Sequence, residues 1–384
     1  RPTPGCGTRD MTFFSRSDTS ILGLWWWTID RWTLAAVGVL IAFGIIMALA
    51  ASPAVAERVG LDYFYFAQRQ LIYLPIALSL MLSASLMSPT GVFRIAIVTL
   101  IIFTLLVVAT FIMGTEIKGA RRWISLGFIS IQPSEFLKPA FTVVAAWLFA
   151  SARTGDIRHG NLISIATFGI LISLLLLQPD IGMSVVISVV WATQFFLAGL
   201  PLCWAAILLA WGVGALVIAY FVLPHVASRV DRFLDPSSGD SYQVDRSLEA
   251  FMNGGLFGRG PGEGTVKEML PDAHSDFVFA VAGEEFGLFV CLILVALFAF
   301  IVLRGFGKAL QETNLFILLA TSGLLVQFGL QAVINMSSTL RLMPTKGMTL
   351  PFVSYGGSSL IAMGLCFGFL LALTRKRIGP ETSR

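Results

Sequence analysis

The chain consists mainly of long apolar runs, separated by shorter segments that hold most of its charges and many of its glycines and prolines. An α-helix needs roughly 20 residues to cross the ~30 Å hydrocarbon core of a bilayer. Since unpaired backbone groups are costly in lipid, runs of this length favour helices. The predicted spans are residues 33–51, 70–87, 93–113, 136–151, 161–177, 182–199, 203–224, 277–303, 314–336 and 352–373. We therefore expect an all-α polytopic membrane protein with about ten transmembrane helices.

The composition agrees with this fold class and excludes several others. Hydrophobic residues make up 56% of the chain and charged residues only 12%, which is half of the ~25% typical of soluble domains. This number of charged residues is too small to cover a surface that faces water. Soluble, fibrous and disordered proteins are therefore excluded. The four cysteines form no CxxC and the three histidines lie far apart. This spacing predicts neither a disulfide framework nor a zinc site.

The basic run Arg375–Arg377 directly follows the last span and predicts a cytoplasmic C-terminus. An even number of spans then places the N-terminus on the same side. Residues 1–10 have no apolar period, and we expect them to be non-native or upstream of the natural start. The predicted regions are a cytoplasmic N-terminal segment over 1–32, a membrane domain over 33–373 with a periplasmic loop over 225–275 between helices 7 and 8, and a basic cytoplasmic tail over 374–384.

Three charged residues fall inside predicted spans: Lys138, Glu284 and Glu285. Each costs about 2.5–3.5 kcal/mol at a helix centre unless it is paired or hydrated. We expect a structural pair between Lys138 and one of the two glutamates. Lining of a polar cavity is the alternative.

Polar residues gather instead in segments on the side opposite the basic tail. Loops as long as 225–275 tend to be functional or disordered. Its glycine cluster, Gly254 to Gly264, fits neither a P-loop nor a Rossmann turn. It predicts either flexible loop geometry or backbone donors for phosphate oxygens. The polar segments are 114–135, 178–180, 225–275 and 341–359.

Asp276 opens the eighth predicted span, near the boundary between membrane and water. Its helix face continues through Ala280, Gly283 and Gly287, whose small size permits close helix approach or leaves a groove. The residue type is equally compatible with a catalytic carboxylate and with a helix N-cap together with Ser275. Basic side chains nearby would neutralise the pyrophosphate of a lipid-tethered substrate, or else balance neighbouring acids and fix topology. These are Lys118, Arg121, Arg122, Arg229, Arg246, Lys267, Arg341 and Lys346.

The motifs in these segments resemble those of the SEDS family (shape, elongation, division and sporulation), and the resemblance extends over residues 33 to 373. Three shorter stretches look like the division-type members rather than the elongation-type members. The family motifs are Gly119–Ile124 with Gln132–Glu135, Gln178–Asp180, Gly258–Phe277 and Thr349–Ser359, and the division-type stretches are Pro261–Gly264, Ala282–Glu285 and Pro344–Gly347.

The resemblance implies a ten-helix peptidoglycan polymerase of the cell inner membrane that acts at the division septum. Its substrate would be lipid II, a disaccharide-pentapeptide on undecaprenyl pyrophosphate. Its partners would be a class B penicillin-binding transpeptidase and other division proteins, with membrane lipid around it and no nucleic acid. The family's catalytic aspartate falls on Asp276. The candidate substrate-binding residues are Glu116, Lys118, Arg121, Arg122, Arg229, Gln243, Lys267, His274, Lys346 and Ser358.

The implied reaction is an inverting transfer, because an α-linked pyrophosphate donor gives a β-1,4 link. It needs a base on the acceptor hydroxyl and assistance to the leaving group. Cationic cover of the pyrophosphate would come from basic side chains or from a divalent cation. No spacing in the sequence identifies a metal site, and no other cofactor is expected.

Two other functions remain open at this stage. A lipid II flippase would also be polytopic, and a structural scaffold of the division machinery would need no site. The polar motifs gather at one face of the membrane, which favours the polymerase. A flippase has no need for a base at a fixed outer position.

Overall fold

The computed structural model describes residues 20–117, 120–127, 129–199, 202–222, 224–234, 242–344 and 347–376. The helices are α1 Ile21–Thr28, α2 Arg31–Val59, α3 Tyr65–Ser85, α4 Pro89–Met113, α5 Pro133–Thr154, α6 Gly160–Leu177, α7 Ile181–Leu197, α8 Leu202–Val222, α9 Pro224–Leu234, α10 Tyr242–Gly254, α11 Val278–Ala309, α12 Leu315–Thr339 and α13 Gly357–Leu373. Three short strands, β1 Thr115–Ile117, β2 Ala120–Leu126 and β3 Ile129–Ile131, form an antiparallel sheet in that order.

The predicted all-α polytopic membrane class is confirmed, because each predicted span coincides with a helix. By length and composition, six helices of the described chain are able to cross a membrane: α2, α4, α5, α6, α11 and α12. Helices α7 and α13 are apolar but shorter. The exact number of spans and their orientation stay predictions. Several helices exceed the predicted runs, and the longest extensions at a C-terminal end are those of α2, which continues to Val59, and α11, which continues to Ala309.

Helices α5 and α12 form the centre of the bundle. In their most apolar windows 89% and 72% of the residues are buried, against 22–39% for the other four long apolar helices. Helix α13 packs closely on α3 through glycines: a Cβ on Gly364 would lie 2.5 Å from the carbonyl oxygen of Ala77. Small residues allow this approach between helices in a membrane. The two central helices also carry buried polar side chains, among them Lys138 on α5 and Gln331 on α12.

Both described ends of the chain meet at one end of the bundle. The Lys376 amide donates to the carbonyl oxygen of Thr28 at 3.0 Å. Beside them, buried Asp30 accepts from Arg304 Nη2 at 2.9 Å and lies 3.0 Å from Lys308 Nζ. The shared end agrees with an even number of spans. Which side of the membrane it faces stays a prediction, as do the boundaries of the predicted regions; residues 1–19 and 377–384 lie outside the described chain.

The polar segments meet at the other end of the bundle, called here the site end. It contains the sheet β1–β3, the turn 178–180, the connection 225–275 and the segment 347–356. Hydrogen bonds join these segments to each other: Arg122 Nε of the sheet donates to the carbonyl oxygen of Gln178 at 3.0 Å, and the Tyr355 amide donates to that of His274 at 2.9 Å. The convergence of these motifs follows from this packing.

The connection 225–275 contains helical stretches that pack against the bundle, as far as its described residues 225–234 and 242–275 show. It contains most of α9, all of α10 and a 3₁₀ turn at Val266–Glu268, and α10 lies against α11. Two of its glycines are tightly enclosed, since an added Cβ on Gly254 or Gly258 would overlap the backbone of α11, whereas one on Gly255 or Gly262 would meet nothing within 4 Å. The cluster also shows the loop geometry that glycine permits, because Gly255, Gly260 and Gly262 have φ of 55°, 114° and 86°.

Candidate active site

Asp276 lies just before α11, on a tightly curled turn, and is half-buried. The carbonyl oxygen of Asp272 accepts from the amides of Ser275 and Asp276, each at 3.1 Å. Helix α11 begins at Val278, and its N-cap residue is Phe277. Asp276 therefore does not occupy the N-cap position that one of the two interpretations gave it.

Hydrogen bonds to three consecutive carbonyl groups, those of residues 274 to 276, hold this turn in place. The Tyr355 amide donates to the carbonyl oxygen of His274 at 2.9 Å. Ser354 Oγ donates to that of Ser275 at 2.5 Å, and Asn335 Nδ2 to that of Asp276 at 2.9 Å. Since backbone position determines where a short side chain lies, the Asp276 carboxylate is closely defined from α12 and from the segment before α13.

The segment 347–350 passes directly over Asp276. Asn335 Nδ2 also donates to the carbonyl oxygen of Met348 at 2.5 Å. A Cβ on Gly347 would lie 3.4 Å from Asp276 Oδ2, and Gly347 has φ +59°, which favours glycine. Gly347, the last residue of the division-type stretch Pro344–Gly347, thus lies close to the carboxylate. Lys346, one of the predicted binding residues, lies outside the described residues.

An aromatic cluster borders the same turn. The His274 ring lies 4.3 Å from that of Phe66 on α3 and 5.2 Å from that of Tyr355, measured between centroids. Burial raises the pKa of Tyr355 to about 12, so its hydroxyl stays protonated at neutral pH. The cluster gives His274 an apolar wall and places a phenol close to the Asp276 segment.

The two predicted arginines of β2 have different surroundings. Arg121 is exposed, and its Nε lies 3.5 Å from Glu116 Oε2 across the sheet. Arg122 donates to the carbonyl oxygens of Gln178 and Pro179 at 3.0 and 2.5 Å, which fastens the sheet to the turn between α6 and α7. Arg122 has a structural partner set, whereas Arg121 presents its charge to the exterior.

Other predicted binding residues are held by internal contacts. Lys267 is buried, and its Nζ contacts Glu285 Oε1 at 2.5 Å. Ser358 Oγ accepts from the Gln132 amide at 3.0 Å and donates to the Ser130 carbonyl at 3.2 Å. Gln243 is half-buried on α10. Lys118 and the side chain of Arg229 lie outside the described residues.

The two remaining residues of the predicted basic set, Arg246 and Arg341, have acidic neighbours. Arg246 pairs with Glu249 one helical turn away. Arg341 Nη1 lies 3.7 Å from Asp245 Oδ1. Both arrangements agree with the interpretation that these charges balance nearby acids.

The predicted pairing of Lys138 with Glu284 or Glu285 is wrong. Lys138 Nζ lies 2.8 Å from Glu135 Oε2 and 2.8 Å from Gln331 Oε1. Gln331 in turn donates to the carbonyl oxygen of Thr349 at 3.1 Å. Glu135 stands at i−3 on the same helix face, so proximity along one helix decided the pair. The buried charges thereby support the segment 347–356 from below.

Sequence reasoning missed Asn335, which donates a hydrogen bond to the carbonyl oxygen of Asp276. A polar amide in an otherwise apolar span is a recognisable signal, and Asn335 is buried on α12. The small residues below Asp276 leave no groove, because Phe251 fills the space beside Gly283. Among the described residues, no group of three or more His, Cys, Asp or Glu side chains is placed to hold a metal ion.

Comparison with known proteins gives consistent relatives. The family model described as a cell cycle protein (FtsW, RodA and SpoVE) matches residues 31–378. The chain is 44% identical over 367 residues to a protein of Caulobacter vibrioides named "Probable peptidoglycan glycosyltransferase FtsW", covering 95% of this chain and 94% of that one. A protein of the same name in Coxiella burnetii is 38% identical over 370 residues, covering 93% and 97%.

Solved structures agree with the fold. A chain from a peptidoglycan synthase complex that coordinates polymerization and crosslinking matches with a TM-score of 0.74 and 27% identity, covering 90% of this chain and 97% of that one. The rod shape determining protein RodA of Thermus thermophilus matches with a TM-score of 0.68 and 28% identity, covering 91% and 97%. The resemblance inferred from the motifs is confirmed, and the chain belongs to the FtsW, RodA and SpoVE family of cell cycle proteins.

Proposed function

We propose that this chain is a peptidoglycan glycosyltransferase that polymerises lipid II into glycan strands during cell division, with Asp276 as its general base. Relatives named as peptidoglycan glycosyltransferases, similar over nearly the whole chain, support the activity. One observation above all supports this role for Asp276. Tyr355, Ser354 and Asn335 donate hydrogen bonds to the three consecutive carbonyl groups of residues 274 to 276 and so fix its position. A base must be held within hydrogen-bond reach of the proton that it removes.

The chemistry assigns Asp276 to the 4-hydroxyl of the acceptor sugar. The hydroxyl oxygen attacks the anomeric carbon, its proton passes to the carboxylate, and the bond to the undecaprenyl pyrophosphate breaks with inversion. A carboxylate of ordinary pKa near 3.9 is a weak base. Removal of the proton therefore coincides with bond formation. The leaving pyrophosphate needs positive charge, and Arg121 is the exposed candidate at the site end.

The proposed setting is the inner membrane at the septum. The several helices long enough to cross a membrane support a multi-pass protein. The similarity to a chain of a peptidoglycan synthase complex supports a transpeptidase partner, proposed here to be a class B penicillin-binding protein, together with other division proteins. Coupling to such a partner would join strand synthesis to crosslinking.

Strand synthesis and lipid transport separate the two leading functions. The purified chain with its transpeptidase, in vesicles with lipid II, is expected to produce glycan strands visible on a gel. Translocation of labelled lipid II is measured on the same vesicles. If a complex that translocates lipid II produces no glycan strands, the chain is a flippase and not a polymerase.

A further inference from the structure

Helix α11 is interrupted at Gly287. Its φ of 77° and ψ of −177° form a backbone conformation that is essentially restricted to glycine. Residues 288–309 alone make a helix of roughly 33 Å, which is enough for the ~30 Å hydrocarbon core. The first part, Val278–Phe286, is therefore not needed for crossing, and Asp276 stands directly before it.

The connection 255–260 takes over the hydrogen bonds that the break removes. The amides of Leu288 and Phe289 donate to the carbonyl oxygens of Gly255 and Leu256 at 3.0 and 3.3 Å. In return, the amides of Arg259 and Gly260 donate to the carbonyl oxygens of Glu284 and Glu285, each at 3.0 Å. Buried backbone groups need such partners. The amides of Arg259 and Gly260 are therefore not donors for phosphate.

Glu284 fastens the next part of the connection to the same short helix. The residue is 0% exposed. Its Oε1 accepts from the amides of Thr265 and Val266 at 2.9 Å each, and its Oε2 from that of Lys267 at 3.2 Å. Hydrogen bonds to a charged acceptor are the stronger kind.

The neighbouring glutamate reinforces this attachment. Glu285 contacts Lys267 Nζ, which also donates to the carbonyl oxygen of Gly262 at 2.9 Å. The stretches Pro261–Gly264 and Ala282–Glu285 therefore lie in contact: Lys267 Nζ joins Gly262 to Glu285, and a Cβ on Gly264 would lie 2.8 Å from Glu284 Oε2.

Together these contacts close a loop around Asp276. The chain leaves the Glu284 contact at Lys267, reaches Asp276, enters α11 and returns to Glu284. We propose that Glu284 is a positioning residue for Asp276: its carboxylate fixes the origin of the segment 268–276, and Asn335 fixes its end. The inference rests on the base role proposed above for Asp276.

The main variant is Glu284→Gln, which keeps the size of the side chain and replaces one acceptor oxygen by a donor. A misplaced catalytic group lowers kcat rather than substrate binding, so we expect kcat for strand synthesis to fall about 10- to 100-fold. The KM for lipid II should stay within about twofold. Asp30→Asn, a buried carboxylate at the opposite end of the bundle, should leave both constants unchanged.

Gly264→Ala perturbs the same contact from the other side. Its Cβ would lie 2.8 Å from Glu284 Oε2, and its backbone needs no positive φ. It should reproduce the fall in kcat at constant KM even if Glu284→Gln proves too unstable to purify. Gly169→Ala on α6 is the matched control, because its Cβ would meet nothing within 4 Å.

The combination with Asp276→Asn separates this inference from the proposed base. In the Asp276→Asn background, Glu284→Gln should change the residual rate little, because no base remains to be misplaced. A wild-type kcat in a folded Glu284→Gln protein, or a raised KM at unchanged kcat, would overturn the positioning role and leave the base assignment intact. A wild-type rate for Asp276→Asn alone would instead remove the base.

Discussion

Asn335 on α12 binds the main chain of Asp276 and of the segment above it with a single amide group. Its Nδ2 lies 2.9 Å from the carbonyl oxygen of Asp276 and 2.5 Å from that of Met348. The two segments approach the site from opposite directions along the chain. One buried side chain on a central helix thus sets the distance between the carboxylate and the backbone that covers it.

Asn335→Asp tests this relationship. The substitution keeps the shape and replaces the donor by a charged acceptor that faces two carbonyl oxygens. We expect strand synthesis to fall about 10- to 100-fold, with membrane insertion retained. Asn314→Asp at the start of α12 is the control, since Oδ1 there accepts from the Phe316 amide at 3.0 Å and Asp preserves that acceptor. Equal activity of the two variants would contradict the proposed dependence of strand synthesis on the hydrogen bonds of Asn335.

The sequence predicted the helices and the family because both depend on local pattern. Apolar runs of membrane length indicate helices whatever their neighbours. The role of Asn335 was not predictable in this way, because its partner Asp276 stands 59 positions away. The ion pair of Lys138 with Glu135 is of the i−3 kind that a helix predicts. The sequence assigns Glu135 to the polar segment 114–135, whereas it lies in the first turn of α5.

The break in α11 was also out of reach of sequence reasoning. Gly287 appeared as one small residue on a helix face, and many membrane helices contain glycines. What distinguishes it is the segment 255–260, which completes its hydrogen bonds from outside the helix. Likewise, the strands of 115–131 are too short and too interrupted to give a clear period of two.

Arg121 and Arg122 are expected to differ when each is replaced by Ala. Arg121 is exposed, so its loss should raise the KM for lipid II with little effect on thermal stability. Arg122 fastens the sheet to the turn 178–180, so its loss should lower the unfolding temperature. The two measurements are steady-state kinetics and thermal unfolding in detergent. If the KM for lipid II is unchanged in both variants, neither arginine binds the substrate.

Asp30 makes stability depend on pH at the opposite end of the bundle. Burial would raise the pKa of its carboxyl, but hydrogen bonds from Arg304, Lys308 and Thr33 outweigh that effect and lower the pKa from 3.8 to about 2. A lowered pKa contributes stability above the unfolded value, and the contribution is lost as the pH falls through the folded value.

Asp30→Asn should therefore lose about 2 kcal/mol at pH 7, seen as an unfolding temperature lower by a few degrees. The difference from wild type should shrink as the pH falls from about 4 toward 2. Activity per folded molecule should be unchanged. A difference independent of pH would mean that Asp30 contributes through packing rather than charge.

The orientation is tested by reporter fusions. Because Lys and Arg favour the cytoplasmic side, fusions after Arg153, Arg304 and Arg375 should report the cytoplasm. Fusions within 236–265 should report the periplasm. A periplasmic C-terminus would contradict the predicted even number of spans.

Strand synthesis by Asp276→Asn tests the account most directly. Wild-type and variant complexes with the transpeptidase are compared at equal concentration with lipid II, and glycan length and rate are read on a gel. The variant keeps the size of the side chain and loses the base, so we predict normal insertion, normal partner and lipid II binding, and a rate lower by about 10²- to 10⁴-fold. Strands of wild-type length at a wild-type rate would contradict the assignment of Asp276 as the general base.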